Sequence, residues 1–475
     1  QEFNWKNYFS KNHFRTYVVF KGRSSRIINV ARKEEMIYGR IFTYDATLFT
    51  KAYCVAPTCS PSRAAMLTGT YPHQNGMLGL AQRGFGLNDY DKHLASYLRA
   101  KGYQTALSGI QHEVGWYLDI DTDDSKKLGY DTILTENPKE YIKEDLHIWD
   151  EHNADACINW LDTIDTNRPF MLSYGMHSTH RPYPVDIDKE INENFVKPLD
   201  PLDSNQVTRH DQAQFITSAK NADKNVGKLI NYLKTHDLYD NTIIMYTTDH
   251  GVANPFHKCN LQDDGIGISL IIRHPNKAHG IVYDNLISHI DIFPTLCDLL
   301  GVDKPDYLEG LSYSEIFDDN SLKIDNEIYA EVNFHTSYEP IRCIRNERYK
   351  YIRYYDESWL KLNLSNIDES LSKTYLMDNG LNNITKPKEA LYDCLYDKHE
   401  KNNTDQHYDQ KKACTAALVQ SRALSHILNI QFHAMFDAID TLMFCTMVHV
   451  YTPDVLHHRD GCHISDKNRQ TDHPL

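Results

Sequence analysis

One short segment combines a cysteine, a proline and an arginine at spacings that favour chemistry on an anion. It reads Cys59-Ser-Pro61-Ser-Arg63. Pro61 is well placed to open a helix, because its fixed φ fits the first turn and its missing N–H has no helical partner there. The N–H groups at a helix start favour an anion. Arg63, four residues after Cys59, returns to the same helix face. The segment therefore predicts an anion pocket with Cys59 at its floor.

Taken alone, a cysteine near an arginine is ambiguous, since a buried thiol beside a surface ion pair is the more common arrangement. The longer string is more specific, because the pattern Cys-x-Pro-Ser-Arg-x-x-x-Leu-Thr-Gly extends from Cys59 to Gly69. This pattern resembles the signature of the type I sulfatases, a family of the alkaline phosphatase superfamily. The signature is recognised by the enzyme that oxidises its cysteine to formylglycine. The following residues, Tyr71–Leu80, resemble the heparan N-sulfatase branch.

The resemblance implies covalent catalysis. Formylglycine at position 59 would be hydrated to a geminal diol, of which one hydroxyl attacks sulfur and the second later expels sulfate. One difficult step is thereby divided into two. Arg63 resembles the arginine that holds the diol and sulfate oxygens, a bidentate role that suits its planar guanidinium. The implied partners are a sulfated saccharide substrate and, for maturation of Cys59, the formylglycine-generating enzyme.

A candidate metal pair, Asp249 and His250, follows the strand-like run Thr242–Thr248. Ligands bind at the ends of parallel strands in α/β sheets, and a carboxylate beside an imidazole can bind a divalent ion. A solvated turn is an equally good interpretation of these two residues alone. The resemblance implies that they bind Ca²⁺, or another divalent metal such as Mg²⁺, together with the oxidised Cys59. It also implies that Lys258 binds sulfate.

Two histidines match catalytic positions of the family. His112 resembles the histidine of a Gly-Lys-x-His element that assists formylglycine turnover, although Ile110 replaces the lysine. His180 resembles the histidine that protonates the leaving group, a task that suits a group titrating near neutrality. His177 is a nearby alternative. Among the 25 histidines of the chain, either one alone would more commonly be a surface or core residue.

Substrate contacts are expected from a later segment. His335 and Arg342 lie where related sulfatases reach the sugar, with a structural role as an equal alternative for His335. Residues 390–403 resemble the closing element of the family.

The order of elements predicts the scaffold of the site. Helical periodicity covers residues 91–101, 212–236 and 290–300, and strand-like runs cover 103–108, 170–174, 242–248 and 268–272. This alternation predicts an α/β fold with a mostly parallel sheet sandwiched by helices, of the alkaline phosphatase and sulfatase type. Two further runs, 327–333 and 341–355, the second of which contains a turn at 345–348, predict a smaller C-terminal α+β subdomain with an antiparallel sheet. The polar stretch 363–388 indicates a loop, and 413–443 a helix.

The chain divides by sequence character into four segments. These are an atypical N-terminal segment 1–43, a catalytic α/β domain 44–325, a smaller subdomain 326–404 and an atypical tail 405–475. The first segment lacks the strand and following Asp pair with which sulfatases supply two metal ligands. Altered sequence ends, a metal site rebuilt from other acids, and an inert relative would each explain this. We favour altered ends, because the middle keeps the family pattern in detail.

Composition excludes several other classes of protein. The 475 residues include 50 Lys+Arg and 65 Asp+Glu, for a formal net charge of −15, which argues against nucleic-acid binding. Ten cysteines are too few for a disulfide scaffold of this length. We expect no membrane span, because the apolar stretch 427–451 is interrupted by charged residues. No signal peptide is visible, while the resemblance favours a periplasmic, secreted or lysosomal enzyme. The oligomeric state has no sequence signal.

The sequence therefore predicts a sulfatase that acts on a sulfated saccharide, with N-sulfoglucosamine of heparin or heparan sulfate as the expected substrate. One alternative is a phosphatase or phosphodiesterase of the same superfamily, for which a serine or threonine nucleophile is expected in place of Cys59. The other is a catalytically impaired relative that only binds glycans, a possibility raised by the missing Asp pair and by Ile110.

Overall fold

The structure, a computed structural model, describes most of the chain, and every structural statement below refers to that part. The described residues are 21–22, 45–115, 122–142, 145–165, 167–277, 279–356, 360–404 and 411. The helix predicted over 413–443 lies outside them, as do nearly all residues of the two atypical end segments.

Twelve strands occur among these residues. Their bounds are β1 Lys21–Gly22, β2 Thr47–Tyr53, β3 Gln104–Gly109, β4 Thr132–Ile133, β5 Phe170–Gly175, β6 Ile244–Thr248, β7 Gly267–Arg273, β8 Ile281–Ser288, β9 Glu327–Phe334, β10 Tyr338–Asn346, β11 Tyr349–Tyr354 and β12 Glu389–Asp393.

Nine α-helices accompany the strands in the described part of the chain. They are α1 Cys59–Thr68, α2 Pro72–Asn75, α3 Leu94–Ala100, α4 Thr122–Lys126, α5 Leu146–Leu161, α6 Gln206–Thr235, α7 Asp263–Ile266, α8 Ile292–Leu300 and α9 Leu371–Asp378.

The strands before residue 300 form two sheets that confirm the predicted α/β fold. One has the order β4-β3-β5 and is parallel throughout. The other has the order β1-β6-β7-β2-β8, in which β1 and β6 are parallel, as are β2 and β8. Strand β7 is the exception, since it runs antiparallel to both neighbours. Only the single-turn helix α7 lies between β6 and β7, so that this connection lacks the long crossover helix of a parallel pair.

Helices cover both faces of the central strands. Ile244 and Tyr246 of β6 pack in a cluster with apolar residues of α5 and α6. Met245, between them, packs in a second cluster with residues of α1, α3 and α8. Successive side chains of a strand point to opposite faces. Strand β6 is therefore apolar on both faces, and helices cover both. The predicted helical sandwich is confirmed.

An apolar cavity of about 120 Å³ lies between β5 and β6. Both strands line it, together with leucines from the helices on both faces, including Leu67, Leu98, Leu229 and Leu296. The cavity is partly open and lies between the two parallel sheet segments.

The strands after residue 326 form the predicted antiparallel sheet, in the order β12-β11-β10-β9. The interpretation of 363–388 as a loop was wrong in part, because this stretch contains α9. The Oγ of Ser370 accepts the Lys373 N–H and caps that helix, so that a polar helix start resembled a loop.

None of the helices in the described part of the chain combines the length and the hydrophobicity that a membrane span requires.

Candidate active site

Helix α1 places Cys59 and Arg63 in the interior of the protein. Cys59 is the first residue of the helix, and all ten helical residues are buried. The helix ends at Gly69, whose φ of +64° is left-handed and therefore suits glycine. Cys59 thus lies at the N–H end of the helix, one turn from Arg63, as predicted.

The guanidinium of Arg63 is only partly paired. Its Nε donates to Oδ2 of Asp249 at 3.0 Å. Its two terminal nitrogens are buried without a hydrogen-bond partner, an arrangement that is costly unless a ligand accepts from them. Two parallel N–H donors match a pair of oxygens on a sulfate, phosphate or carboxylate group. Two open donors therefore lie where the anion pocket is predicted, and anion binding there stays a prediction.

Asp249 and His250 follow the carboxyl end of β6, as predicted. The Nδ1 of His250 donates to the carbonyl oxygen of Gly251 at 2.8 Å. Because a carbonyl oxygen only accepts, Nδ1 carries a hydrogen. The other ring nitrogen, Nε2, lies 3.4 Å from Sγ of Cys59. The structure therefore brings the sequence-predicted metal pair against the predicted nucleophile.

These three residues form a candidate metal site. One ligand atom each from Cys59, Asp249 and His250 lies within 4.8 Å of the others, and all three residues are buried. Conversion of Cys59 to an aldehyde hydrate would exchange sulfur for oxygen, the donor that Ca²⁺ and Mg²⁺ prefer. Three donors fit part of the coordination of either ion, since Ca²⁺ takes about six to eight oxygens. The donor set therefore fits a divalent ion whose remaining ligands come from elsewhere.

Electrostatics at His250 oppose metal binding. Burial lowers the pKa of His250, but Asp249 and Cys59 outweigh it and the pKa lies above the ordinary value of 6.5. The raised pKa favours the imidazolium form, which carries a proton on Nε2. A metal ion bound at Nε2 has to displace this proton, so that metal affinity rises with pH.

Lys258 is buried in the connection between β6 and β7, eight residues after His250. Its Nζ donates to both carboxylate oxygens of Asp368, at 3.0 and 2.7 Å. Burial lowers the pKa of Lys258, but the negative charges of Asp368 and Cys59 raise it well above its usual value. The predicted sulfate-binding lysine is therefore a charged group that is already paired in this structure.

Asp368 is a site residue that sequence reasoning missed. Burial raises the pKa of its carboxyl group, but Lys258, His180 and His335 lower it far more, and the net pKa is well below the ordinary value. Three of the sequence-predicted residues therefore face this carboxylate. It lies in the stretch interpreted as a loop, and no motif there signals its role.

His335 also reaches the nucleophile. Burial and the charge of Lys258 lower the pKa of His335, and a side-chain hydrogen bond with Cys59 opposes them. His180 contacts the backbone oxygen of Arg181 through Nδ1, and its ring centroid lies 5.6 Å from that of His177. His335 is therefore beside Cys59, and His180 joins the site through Asp368.

Two predicted residues bond elsewhere in the fold. Nε2 of His112 is hydrogen-bonded to Oε1 of Gln82 at 2.6 Å. Arg342 donates to the Val332 oxygen at 2.8 Å and to Oδ1 of Asn333 at 2.6 Å. These bonds tie Arg342 to strand β9. The catalytic role expected of His112 and the sugar contact expected of Arg342 stay predictions.

Comparison with known proteins gives this geometry a family. A model described as sulfatase matches residues 39–302, more than half of the chain. The chain belongs to the sulfatase family. A second model, described as N-sulphoglucosamine sulphohydrolase, C-terminal, matches residues 249–401. The predicted enzyme class is a hydrolase of sulfuric esters or sulfamides, and hydrolysis of sulfate esters is the activity of the family.

Individual relatives of this sulfatase carry different substrate names. An ulvan-active sulfatase of Formosa agariphila is 24% identical over 378 residues, which cover 77% of this chain and 70% of the relative. The human N-sulphoglucosamine sulphohydrolase is 28% identical over 287 residues, covering 55% of each chain. The chain thus spans little more than half of the human relative.

Solved structures share the fold of this sulfatase. A protein in complex with its substrate D-glucosamine-2-N,6-O-disulfate superposes with a TM-score of 0.63 at 18% identity. The match covers 86% of this chain and 98% of the other. At this identity the likeness concerns the fold.

Proposed function

We propose that this chain is a formylglycine-dependent sulfatase that releases sulfate from a sulfated saccharide. The observation that carries the proposal is the pair of buried, unpartnered nitrogens of Arg63, one helical turn from Cys59. An oxidised Cys59 would supply the nucleophilic oxygen through its hydrate. Arg63 would bind two sulfate oxygens and orient sulfur toward position 59.

The other residues of the site divide the remaining tasks. Lys258 would bind a third sulfate oxygen once its hydrogens turn from Asp368. His180 would hold the proton that the leaving oxygen or nitrogen needs, and His112 would assist turnover of formylglycine. A divalent ion bound beside Asp249 and His250 would supply positive charge that lowers the pKa of the position-59 hydrate. We propose Ca²⁺ as this ion, with Mg²⁺ as the alternative.

We propose N-sulfoglucosamine of heparin or heparan sulfate as the substrate unit. The match of residues 249–401 to the N-sulphoglucosamine sulphohydrolase C-terminal model supports it, because this region contributes Lys258, His335 and Asp368. The similarity to an ulvan-active sulfatase makes sulfate on another acidic polysaccharide the competing substrate.

The test begins with maturation. The chain is co-expressed with the formylglycine-generating enzyme, and the mass of the peptide that contains Cys59 is measured. We expect the loss that accompanies conversion of a thiol side chain to an aldehyde, with no loss in Cys59→Ala. The matured protein is then assayed with Ca²⁺ for sulfate release from N-sulfated, 2-O-sulfated and 6-O-sulfated glucosamine.

Each arm contradicts a different part of the proposal. Release from N-sulfated glucosamine alone supports the substrate, whereas a preference for either O-sulfate refutes it. Complete conversion of Cys59 without sulfate release from any of the three substrates refutes catalysis. That result would favour the alternative of a glycan-binding relative. The alternative is motivated by the small number of metal donors, since the described residues bring only three together.

A further inference from the structure

The segment that carries Asp368 is fixed on one side to the region of His335. The side-chain oxygen of Asn366 accepts the backbone N–H groups of Thr336 and Ser337, at 3.0 and 3.2 Å. These two residues directly follow His335. Asn366 is itself buried. The residues just before Asp368 are therefore hydrogen-bonded to the turn between β9 and β10.

The same segment is fixed on its other side to the region of His180. Oγ of Ser372 donates to Asp211. That carboxylate also accepts two hydrogen bonds from Arg181, at 2.6 and 2.8 Å. Arg181 directly follows His180 in the chain. Asp368 is consequently held between two anchors, each next to a histidine of the candidate site.

A carboxylate at this place has an electrostatic cost for a sulfatase. Both carboxylate oxygens of Asp368 lie within hydrogen-bond distance of Lys258 Nζ, and this donor would otherwise be open to a sulfate oxygen. Its negative charge would also repel a sulfate bound by Lys258. The arrangement is useful to binding only if the substrate brings a hydrogen-bond donor, because a carboxylate can only accept.

On the basis of the proposed function, we propose that Asp368 is a specificity-determining residue. It competes with sulfate for Lys258 and accepts a hydrogen bond from an amino or hydroxyl group beside the sulfated atom of the saccharide. A substrate with that donor replaces Lys258 as the hydrogen-bond donor to Asp368, so that Lys258 can bind sulfate. Ligands that have a second anionic group at this position are rejected by like-charge repulsion. Simple sulfate esters without the donor bind weakly for the same reason.

A binding experiment separates this role from a purely structural ion pair. The full chain, with Cys59 as the thiol, is titrated calorimetrically with inorganic sulfate. The variants are Asp368→Asn and, as a matched control, Glu369→Gln. Glu369 is the adjacent carboxylate; its side chain is 86% exposed and it pairs with Lys373.

We expect Asp368→Asn to bind sulfate at least about tenfold more tightly than the unaltered chain, because the competing charge is gone. Glu369→Gln should match the unaltered chain. Equal sulfate affinity in all three proteins overturns the proposal and leaves Asp368 as a structural partner of Lys258. If the asparagine variant does not fold, Asp368→Ser is titrated instead, since the anchors at Asn366 and Ser372 remain.

A turnover experiment tests the hydrogen-bond donor. The matured proteins are compared on an aryl sulfate that lacks a neighbouring donor and on the sulfated glucosamine that the chain hydrolyses best. Asp368→Asn should lower KM for the aryl sulfate and reduce kcat/KM for the saccharide by about ten- to a hundredfold. Parallel changes on both substrates overturn the proposal. An unaltered chain that hydrolyses neither refutes the proposed function, while the sulfate titration still decides the role of Asp368.

Discussion

The side chain of Arg63 shows how one residue can define a pocket. One of its nitrogens is fixed by Asp249 at 3.0 Å, and the two terminal nitrogens are buried without partners. The fixed bond sets the plane of the guanidinium, so that the two open donors point in a defined direction. A lysine could supply the charge but not this fork.

Replacement of Arg63 by lysine tests that geometry. We expect Arg63→Lys in the matured enzyme to lower kcat/KM for sulfate release by about a hundredfold, because charge is kept while bidentate hydrogen bonding is lost. Arg99→Lys, on the exposed end of α3, is the matched control and should keep full activity. A loss below about threefold in Arg63→Lys would show that charge alone binds the sulfate.

The origin of each site residue explains which ones the sequence reveals. Cys59 and Arg63 are one helical turn apart, so that local periodicity suffices to bring them together. Asp249 and His250 adjoin a strand end, another local feature. Asp368 follows Lys258 by 110 residues, and only the tertiary fold joins them. Its neighbourhood is polar and carries no pattern, which is why the sequence missed it.

At the scale of elements, close backbone contact between strand ends positions the loops of the site. The N–H of Ile110, after β3, donates to the oxygen of Gly175, the last residue of β5, at 2.7 Å. A Cβ at Gly175 would lie 1.9 Å from the Ile110 oxygen. The chain then continues on one side to His112 and on the other to His177. Glycine at position 175 is thus a packing requirement of both histidine loops.

A methyl group at this contact should be costly. We expect Gly175→Ala to reduce the free energy of unfolding by about 2–4 kcal/mol, because the clash is with backbone atoms that cannot move aside. Gly86→Ala is the control, since its nearest atom is the hydroxyl end of Tyr90 at 3.1 Å. Urea unfolding measures both values. Equal losses in the two variants would contradict this explanation.

Strand β9 contains a buried carboxylate that links three elements. Glu331 accepts the backbone N–H of His73, on α2, at 3.1 Å, and lies 3.4 Å from Nε of Arg342, on β10. Burial raises the pKa of Glu331, but Arg342 and His73 outweigh it and lower the pKa from 4.5 to about 2. A folded-state pKa below the unfolded value adds stability above pH 4.5, which is lost as pH falls toward 2.

The variant Glu331→Gln should remove this part of the pH dependence. At pH 7 we expect it to be less stable than the unaltered chain by about 3 kcal/mol, the equivalent of the pKa shift. The difference should shrink as pH falls from 4.5 toward 2. Glu309→Gln, at an exposed position, should show no such convergence. Urea unfolding at several pH values gives the comparison, and a constant difference would refute the linkage.

Sequence patterns predicted element types better than element directions. The apolar run of β7 indicates a strand with two covered faces, and this is what the structure has. Its antiparallel direction depends on the connection from β6, which contains a single-turn helix and many turns. Periodicity says little about such a connection. The start of α6 was also predicted six residues late, because its polar first turns are stabilised by the Asn205 capping box.

At the scale of the whole molecule, metal binding should be linked to folding. The candidate ligands come from α1 and from the loop after β6, so that they meet only in the folded chain. We expect Ca²⁺ at about a hundred times its Kd to add about 2.7 kcal/mol of stability, measured as a rise in Tm. The matured protein should show this effect.

Two variants give the metal prediction its controls. Asp249→Asn should lose the Ca²⁺-dependent rise in Tm, whereas Asp306→Asn, at an exposed position, should keep it. The same titrations with Mg²⁺ report ion preference. A rise of equal size in both variants would place the bound ion elsewhere, and no rise in the unaltered protein would contradict a metal site at these residues.

The cavity between β5 and β6 also has a consequence for what the protein can bind. Its lining is almost entirely apolar and it is partly open, so that small apolar molecules can enter it. Xenon, which enters apolar cavities, should therefore raise Tm, because it binds there in the folded state and not in the unfolded chain.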